Sequence, residues 1–309
     1  MQNTILEVKN LTKKFGNFTA VDNISFSLKK GEVLGLLGPN GAGKTTTIHM
    51  LTGTTLRTEG SIEFFDKDFY KNKQYCLQRT NFTSSYNTLQ GRMTVWENLL
   101  VFALLYSVKK PKEKIYELVD YFEMEEFLHR RFWDISAGQK TRANIAKSLL
   151  NDPELLLMDE PTASLDPDIA DKTLSLIETL REKRKLSILY TSHNMDEITR
   201  ICDNVIFLEH GKIIAQDTPL GLTKQIKENV LKLIFDGDKN TVEMFLKKNS
   251  KKYILKGENT VIITLEDKDI PKTIFGLSKE KIWITDIEIK KPTLEDFFIQ
   301  VTRKNKYVA

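Results

Sequence analysis

The stretch that decides the fold reads Gly-Pro-Asn-Gly-Ala-Gly-Lys-Thr and runs from Gly38 to Thr45. It matches G-x-x-x-x-G-K-[ST], the pattern of a loop that cradles phosphate groups. Glycines let such a loop curl so that successive N–H groups point at phosphate oxygens, and the following helix presents its positive end to the same anion. The sequence therefore predicts a nucleoside triphosphate site, in which Lys44 neutralises the β and γ phosphates and Thr45 binds Mg²⁺.

The sequence on either side of the loop agrees with this interpretation. Val33 to Leu37 is an apolar run typical of a buried parallel strand, and Thr45 to Leu51 has a helical pattern. The residues of the loop that we expect to contact nucleotide are Gly38, Pro39, Asn40, Gly41, Ala42, Gly43, Lys44, Thr45 and Thr46.

A second apolar run, Leu155 to Met158, ends in two carboxylates, Asp159 and Glu160. At the end of a buried strand, Asp159 can reach Mg²⁺ through water, and Glu160 can polarise the attacking water. The alternative is an acidic pair that caps the next helix, but the phosphate loop favours the catalytic interpretation.

Strands and helices alternate along the first two thirds of the chain, which predicts an α/β fold with a largely parallel sheet. Further strands are predicted at Ser61–Phe65, Leu186–Tyr190 and Val205–Glu209, and helices at Asp168–Lys183 and Asn194–Cys202. Residues 94–150 are helical in pattern and begin with the capping-box pair Thr94 and Glu97.

The pattern changes around Pro219 to Thr223, after which the segments become shorter and more polar. We expect a small C-terminal α+β domain there. Its predicted strands are Val230–Phe235, Lys252–Lys256, Val261–Leu265 and Lys281–Lys290, and its predicted helices are Thr241–Lys248 and Leu294–Val301.

A family resemblance follows from several motifs together. Ile135 to Gln139 reads Ile-Ser-Ala-Gly-Gln and resembles the signature of the ABC ATPases, usually Leu-Ser-Gly-Gly-Gln. Glu160 to Asp166 resembles that family's Walker B exit and D-loop. His193 is similar to its switch histidine, and Phe15 to its adenine-stacking aromatic residue.

The resemblance implies a particular architecture and site. It implies a P-loop NTPase ABC cassette over residues 1–220, with a helical subdomain at about 86–150, and an accessory domain over residues 221–309. Two cassettes would pair head to tail, each contacting the ATP of the other. Glu160, His193 and Lys44 would be catalytic, and the further nucleotide contacts would be Phe15, Ser136, Ala137, Gly138, Gln139 and Asp166.

Two positions depart from the family pattern. Ala137 stands where the signature usually has a glycine, and Ser85 stands where a metal-sensing glutamine is expected, nine residues before Thr94. A serine hydroxyl can hydrogen-bond a metal-bound water with shorter reach, so Ser85 joins Thr45 and Asp159 as an expected metal-site residue. Gln78 lies too early and Gln90 too late in the sequence, although a rearranged loop could bring either one to the site.

Composition limits the remaining function classes. Formal net charge is +4, and residues 222–309 alone carry 18 Lys and Arg against 13 Asp and Glu. Because these lysines are scattered, we interpret them as a solvated surface and expect no nucleic-acid partner. The sequence contains no secretory signal and no apolar run near the roughly 20 residues of a membrane span. We therefore expect a peripheral protein on the cytoplasmic face of the cell membrane, docked on a separate permease.

The leading hypothesis is an ATP-hydrolysing subunit of an ABC transporter that uses ATP and Mg²⁺. Lys291 to Phe298 resembles the end of accessory domains on exporter subunits, which favours an exporter. One alternative is a soluble ABC-type ATPase that acts on nucleic acid or ribosomes. Such proteins commonly have two cassettes or a long coiled coil, and neither is evident here. Another alternative, a regulatory module without turnover, is disfavoured by the full catalytic set.

Overall fold

The computed structural model describes residues 4–84, 89–163 and 165–306, with the side chains of residue 184 and residues 303–306 left aside. The chain divides into two compact units, one ending at Pro219 and the other beginning at Leu220. The sequence placed this boundary one residue later.

Six described strands of the first unit form one sheet. Across the sheet they are β10 (Lys212–Asp217), β9 (Asn204–Glu209), β3 (Val33–Leu37), β8 (Ser187–Thr191), β7 (Leu155–Asp159) and β6 (Thr80–Ser84). All neighbours pair in parallel except β10, which pairs antiparallel with β9. The predicted α/β class with a largely parallel sheet is confirmed. The carboxyl ends of β3, β7 and β8 share one edge of this sheet, where ligands of open α/β sheets bind.

A second sheet of this unit is antiparallel. The sequence predicted the strand at Ser61–Phe65, which corresponds to β4 below, but it did not predict that a separate sheet would form. Its order is β2 (Phe18–Lys29), β1 (Thr4–Phe15), β4 (Glu59–Phe64) and β5 (Lys67–Asp68). Its inward residues share a core with the main sheet, in which Leu6, Val21 and Phe64 pack with Leu34 and Leu157. This core supports β2 beside the phosphate loop.

Helices complete the first unit. They are α1 (Lys44–Leu51), α2 (Lys73–Gln78), α3 (Val95–Leu105), α4 (Pro111–Tyr121), α5 (Ala137–Ser148), α6 (Pro167–Arg184) and α7 (Met195–Ile201). The short helix α8 (Pro219–Thr223) begins at the last residue of this unit and otherwise belongs to the second. Short 3₁₀ turns lie at Glu125–Phe127 and Phe132–Asp134. The predicted capping box at the start of α3 is present, because Thr94 and Glu97 exchange side-chain and backbone hydrogen bonds.

The second unit contains a four-stranded antiparallel sheet. Its strands, in spatial order, are β12 (Lys252–Lys256), β13 (Thr260–Glu266), β11 (Glu228–Asp236) and β14 (Trp283–Lys290). With α9 (Lys239–Lys248) and α10 (Ile270–Lys279) the chain order is βαββαβ, the ferredoxin-like arrangement. A terminal helix, α11 (Leu294–Lys306), follows. The sequence prediction missed α10, because Pro271 and Gly276 interrupt its apolar pattern and Phe275 points outward.

Within the described residues, no helix combines the length and the apolar composition needed to span a bilayer.

Candidate nucleotide site

The phosphate loop connects the end of β3 to the start of α1, and its glycines have conformations that other residues rarely adopt. Gly38 has φ +151° and Gly43 has φ +105°. A Cβ atom on Gly38 would lie 2.2 Å from the Leu208 carbonyl oxygen, and one on Gly43 would lie 2.6 Å from the Ala20 carbonyl oxygen. The loop is thus held against the ends of β9 and β2 at distances that only glycine permits.

Lys44 begins α1 and is 6% exposed. Its Nζ donates to the carbonyl oxygens of Gly38 at 2.7 Å and Pro39 at 3.3 Å, and lies 4.0 Å from Oε1 of Glu160. Burial lowers the pKa of the Lys44 ammonium, and the charges of Glu160 and Asp159 oppose this lowering. The loop therefore curls around its own cation, at the place where a phosphate would be neutralised.

Asp159 ends β7 and faces two hydroxyls. Oδ1 accepts a hydrogen bond from Thr191 at 2.6 Å, and Oδ2 accepts one from Thr45 at 3.3 Å. These donors come from the end of β8 and the first turn of α1. Thr45 and Asp159 thus supply adjacent oxygen donors beside Lys44, as an Mg²⁺ site needs when substrate phosphates and waters provide the other ligands.

Glu160 follows β7 with φ +49°, a left-handed backbone conformation in a non-glycine residue. Its N–H donates to the backbone oxygen of Thr191 at 3.1 Å and to the Thr191 hydroxyl at 3.0 Å. Its carboxylate lies between Lys44 and His193, with His193 Nδ1 3.5 Å from Oε2. His193 is 64% exposed and follows β8 by two residues. Such strained conformations occur often at functional sites.

The signature segment begins α5 and forms its own capping box. Ser136 Oγ accepts from the Gln139 N–H at 3.3 Å, and Gln139 Oε1 accepts from the Ser136 N–H at 2.9 Å. Ser136 and Ala137 are exposed. The three atoms nearest to a Cβ on Gly138 would belong to the Ile169 side chain, at 3.4 Å or more. Among the described residues, no hydrogen bond or ion pair joins this segment to the phosphate loop of the same chain.

The remaining predicted site residues are peripheral or outside the described part. Phe15 ends β1 with half of its surface exposed, and Lys13 Nζ lies 4.6 Å from its ring centroid. Asp166 precedes α6, is exposed, and does not cap that helix with its side chain. Ser85 lies outside the described residues.

The two glutamines considered beside Ser85 are placed differently. Gln78 ends α2 at the start of β6, whereas Ser84 at the other end of β6 pairs with Asp159. Gln78 is therefore at the wrong end of the strand for a metal ligand. Gln90 is exposed, and its backbone exchanges hydrogen bonds with the Asn98 side chain.

Sequence reasoning missed two residues that shape the site. Thr191 binds both Asp159 and the backbone of Glu160 through its hydroxyl. Gly211, at the β9–β10 turn, donates its N–H to the Ala42 carbonyl oxygen at 3.1 Å and thereby holds the phosphate loop in place. A β-branched hydroxyl two residues before His193 is a sequence signal that could have identified Thr191, whereas the role of Gly211 depends on tertiary proximity.

Comparison with known proteins gives consistent results. Residues 21–163 match the family model described as ABC transporter. The chain is 31% identical over 304 residues to Nod factor export ATP-binding protein I of Rhizobium sp. (strain N33), covering 98% of each chain. It is 37% identical over 213 residues to a bacitracin transport ATP-binding protein of Bacillus licheniformis, covering 69% of each.

A solved structure also resembles the chain. The ADP conformation of an ATP-binding cassette of an ABC transporter superposes with a TM-score of 0.63 and 28% identity, covering 70% of this chain and 91% of that one.

Proposed function

The chain belongs to the ABC transporter family of ATP-binding proteins, and on this basis we propose that it is the motor subunit of an exporter. It binds and hydrolyses ATP. The observation that carries the proposal is the convergence of Lys44, Thr45, Asp159 and Glu160 at one edge of the parallel sheet. The proposed work of the subunit is to drive a separate membrane permease from the cytoplasmic face of the membrane.

The phosphate loop binds the triphosphate through its backbone N–H groups and through Lys44. The glycine-only conformations at Gly38 and Gly43 direct this backbone inward, and the N-terminus of α1 adds its positive end. A phosphate that enters takes over the hydrogen bonds that Lys44 makes with the Gly38 and Pro39 carbonyls. Its negative charge also favours the protonated ammonium, against the effect of burial.

We assign Mg²⁺ to the hydroxyl of Thr45 and the carboxylate of Asp159, where it would neutralise charge on the β and γ phosphates. Thr191 fixes the Asp159 carboxylate through the bond at 2.6 Å. This bond leaves Oδ2 directed toward Thr45, so the two oxygen donors stay together.

Glu160 is the proposed general base. Its backbone is anchored by Thr191, and its carboxylate is 18% exposed, so one attacking water can reach it while bulk solvent is limited. His193 lies beside the same carboxylate and is exposed enough to contact the γ-phosphate. Together they would orient the water and stabilise the charge that develops during transfer.

The signature segment is proposed to act on a nucleotide held by a second cassette. Ser136 and Ala137 are exposed at the start of α5, and glycine at position 138 is not required by packing within the chain. A surface glycine at a helix N-terminus allows a foreign phosphate to approach closely.

We propose that residues 221–309 form an accessory domain of this exporter subunit. The relative named for Nod factor export aligns with 98% of this chain, so the alignment includes the βαββαβ unit. That full-length match supports export rather than uptake as the direction of transport.

Membrane flotation tests the proposal. The full chain, tagged and produced from its own locus, is expected to float with membranes in a density gradient and to be released by an alkaline carbonate wash. The Glu160→Gln variant should float equally but release phosphate from ATP more slowly, by roughly 10² to 10⁴. If the protein instead stays at the bottom with RNA-containing particles and is freed by ribonuclease, the soluble alternative replaces the transporter proposal.

A further inference from the structure

A buried carboxylate lies beside the catalytic residues but has no role in the scheme above. Glu197 is on α7 and is 7% exposed. Its Oε1 accepts a hydrogen bond from Thr162 Oγ1 at 2.9 Å, and its Oε2 lies 2.8 Å from the same hydroxyl. Oε2 also accepts from Tyr190 and Ser192, each at 2.9 Å. Removing a carboxylate from water is unfavourable by several kcal/mol unless such donors compensate.

The three donors come from segments that also carry the proposed catalytic groups. Thr162 lies two residues after Glu160, and Ser192 directly precedes His193. Ser192 Oγ also accepts the N–H of Asn194 at 3.0 Å. Glu197 therefore holds the turn that contains His193 through Ser192, and the turn that follows Glu160 through Thr162.

The position of this cluster relative to the sheet explains why it matters. The paired residues of β7 and β8 end at Asp159 and Thr191. Glu160 and His193 lie one and two residues beyond this last pair. The Glu160 N–H still bonds to Thr191, but the strand pairing does not extend to His193. Glu197 connects the two segments just past the point at which the ladder stops.

The hydroxyls act as fixed donors rather than as proton carriers. Tyr190 is fully buried, and burial together with the charge of Glu197 raises the pKa of its phenol well above the ordinary value. Tyr190 therefore remains protonated and donates its single hydrogen to the carboxylate. The cluster can set geometry without exchanging a proton with the reaction.

We propose that Glu197 is a positioning residue for ATP hydrolysis, which holds the Glu160 and His193 segments in register with each other. This inference rests on the roles assigned above to Glu160 and His193. Loss of the carboxylate would let the two segments separate while the phosphate loop and Lys44 stay in place. The chemical step should then slow, with little change in nucleotide affinity.

The test compares Glu197→Ala with a matched variant, Glu32→Ala, in the full-length protein. Glu32 is also buried, at 9% exposure, and accepts from the Lys29 N–H at 2.7 Å and the Asn204 amide at 2.6 Å. Both variants lose a buried, hydrogen-bonded carboxylate. Only Glu197→Ala should reduce kcat for phosphate release, by about 10²-fold, the usual effect of a misplacement near 1 Å.

Three results would support the proposal together. KM for ATP in Glu197→Ala should stay within about twofold of the wild-type value, because the substitution does not alter the phosphate loop. Glu32→Ala should keep the wild-type kcat at a temperature where both variants are folded. Glu197→Gln, which retains one acceptor oxygen, should recover part of the lost kcat.

Equal kcat values for folded Glu197→Ala and wild type would overturn the proposal, as would matching losses in the two alanine variants. If Glu197→Ala does not fold, Ser192→Ala and Thr162→Val each remove one donor. Each substitution should lower kcat several-fold. In the double variant, the two losses of kcat should not simply add, because both donors act through the same carboxylate. An unchanged kcat in both single variants would also refute the role. Glu160→Gln and His193→Ala run alongside. Full turnover in those two would show that the site assignment itself is wrong.

Discussion

His193 Nδ1 lies 3.5 Å from Oε2 of Glu160, just beyond the last paired residues of β7 and β8. The carboxylate is mostly shielded while the imidazole is mostly exposed. The pair therefore has one member fixed by the fold and one member free to reach outward. This asymmetry suits a base that must stay in place and a partner that must follow the γ-phosphate through the reaction.

Replacing Glu160 tests the base directly. Glu160→Gln keeps the size and the backbone anchor to Thr191 but removes the negative charge. We expect turnover to fall by roughly 10² to 10⁴, the usual contribution of a general base. Steady-state phosphate release measures this. ATP binding should persist, and an ATP-dependent dimer should accumulate on gel filtration.

Glu154→Gln is the matched control for that variant. Glu154 precedes β7 at the opposite end from Glu160 and forms an ion pair with Arg79. Its loss should leave turnover within about twofold. A Glu160→Gln protein that hydrolyses ATP at the wild-type rate would remove Glu160 from the mechanism.

Comparison of the two capping boxes separates two roles of Ser136, which are capping of α5 and contact with the nucleotide of a second cassette. Thr94 with Glu97 caps α3, and Ser136 with Gln139 caps α5 by the same pattern. Thr94→Ala and Ser136→Ala should each lower the free energy of unfolding by about 1 kcal/mol. Only Ser136→Ala should also lower ATP turnover. Urea unfolding and phosphate release together measure both effects.

An aspartate at position 136 sharpens this distinction. Aspartate caps helices as well as serine does, so Ser136→Asp should keep the stability of the wild type. Its negative charge would repel the γ-phosphate of a partner cassette, so turnover should fall. Wild-type turnover in Ser136→Asp would mean that Ser136 is only a helix cap.

Replacing Gly138 with alanine should maintain or raise the stability of the fold but lower ATP turnover. The atoms nearest to a methyl group there belong to Ile169 and lie at an ordinary contact distance, and helices favour alanine over glycine by up to about 1 kcal/mol. Gly138→Ala should therefore unfold at equal or higher urea concentration. Turnover should fall about tenfold or more if a second cassette's nucleotide must approach this backbone. ATP binding by the isolated subunit serves as the internal control and should not change.

The burial of Lys147 should make the free energy of unfolding depend on pH. Its Nζ donates to the Phe82 carbonyl at 3.3 Å and lies 5.0 Å from the Phe102 ring centroid, and burial lowers its pKa to about 8. The unfolded chain keeps a lysine pKa of about 10.4, so between these two pKa values the unfolded state binds more protons. The free energy of unfolding should therefore rise with pH across this window, by up to about 3 kcal/mol.

Lys147→Met removes this contribution. The variant should be more stable than the wild type near neutral pH, and the difference should shrink as pH rises through about 8 toward ~10.4. Urea unfolding at several pH values measures the gap, and Lys112→Met on the exposed side of α4 controls for loss of a surface lysine. A gap that does not change with pH would contradict the assignment.

Local patterns made much of the first unit predictable. Short apolar runs predicted β3 and β7. The glycine-rich loop follows the first run and the acidic pair follows the second, so about a dozen residues in each case indicate both the strand and the functional groups at its end. The general fold class followed from the alternation of strands and helices. The roles proposed for Lys44, Asp159, Glu160 and His193 remain predictions that the variants above test.

Features that depend on distant contacts were not predictable in the same way. The hydroxyl of Thr191 acquires its role only because β8 lies beside β7, and Gly211 braces the loop only because β9 neighbours β3. In the second unit, α10 escaped notice because Gly276 looks like a helix breaker. In the fold, that glycine leaves room for the Phe245 ring, which would lie 2.3 Å from an added Cβ.

The placement of β3 has a consequence for how the protein is made. Residues 33–36 pair with residues 188–191 of β8, and residues 34–37 pair with residues 204–207 of β9. A ribosome therefore releases the phosphate loop long before either neighbouring strand exists, by on the order of ten seconds at usual translation rates. The contacts that hold the loop against Leu208 in β9 can therefore form only late in synthesis, after most of the first unit has been made.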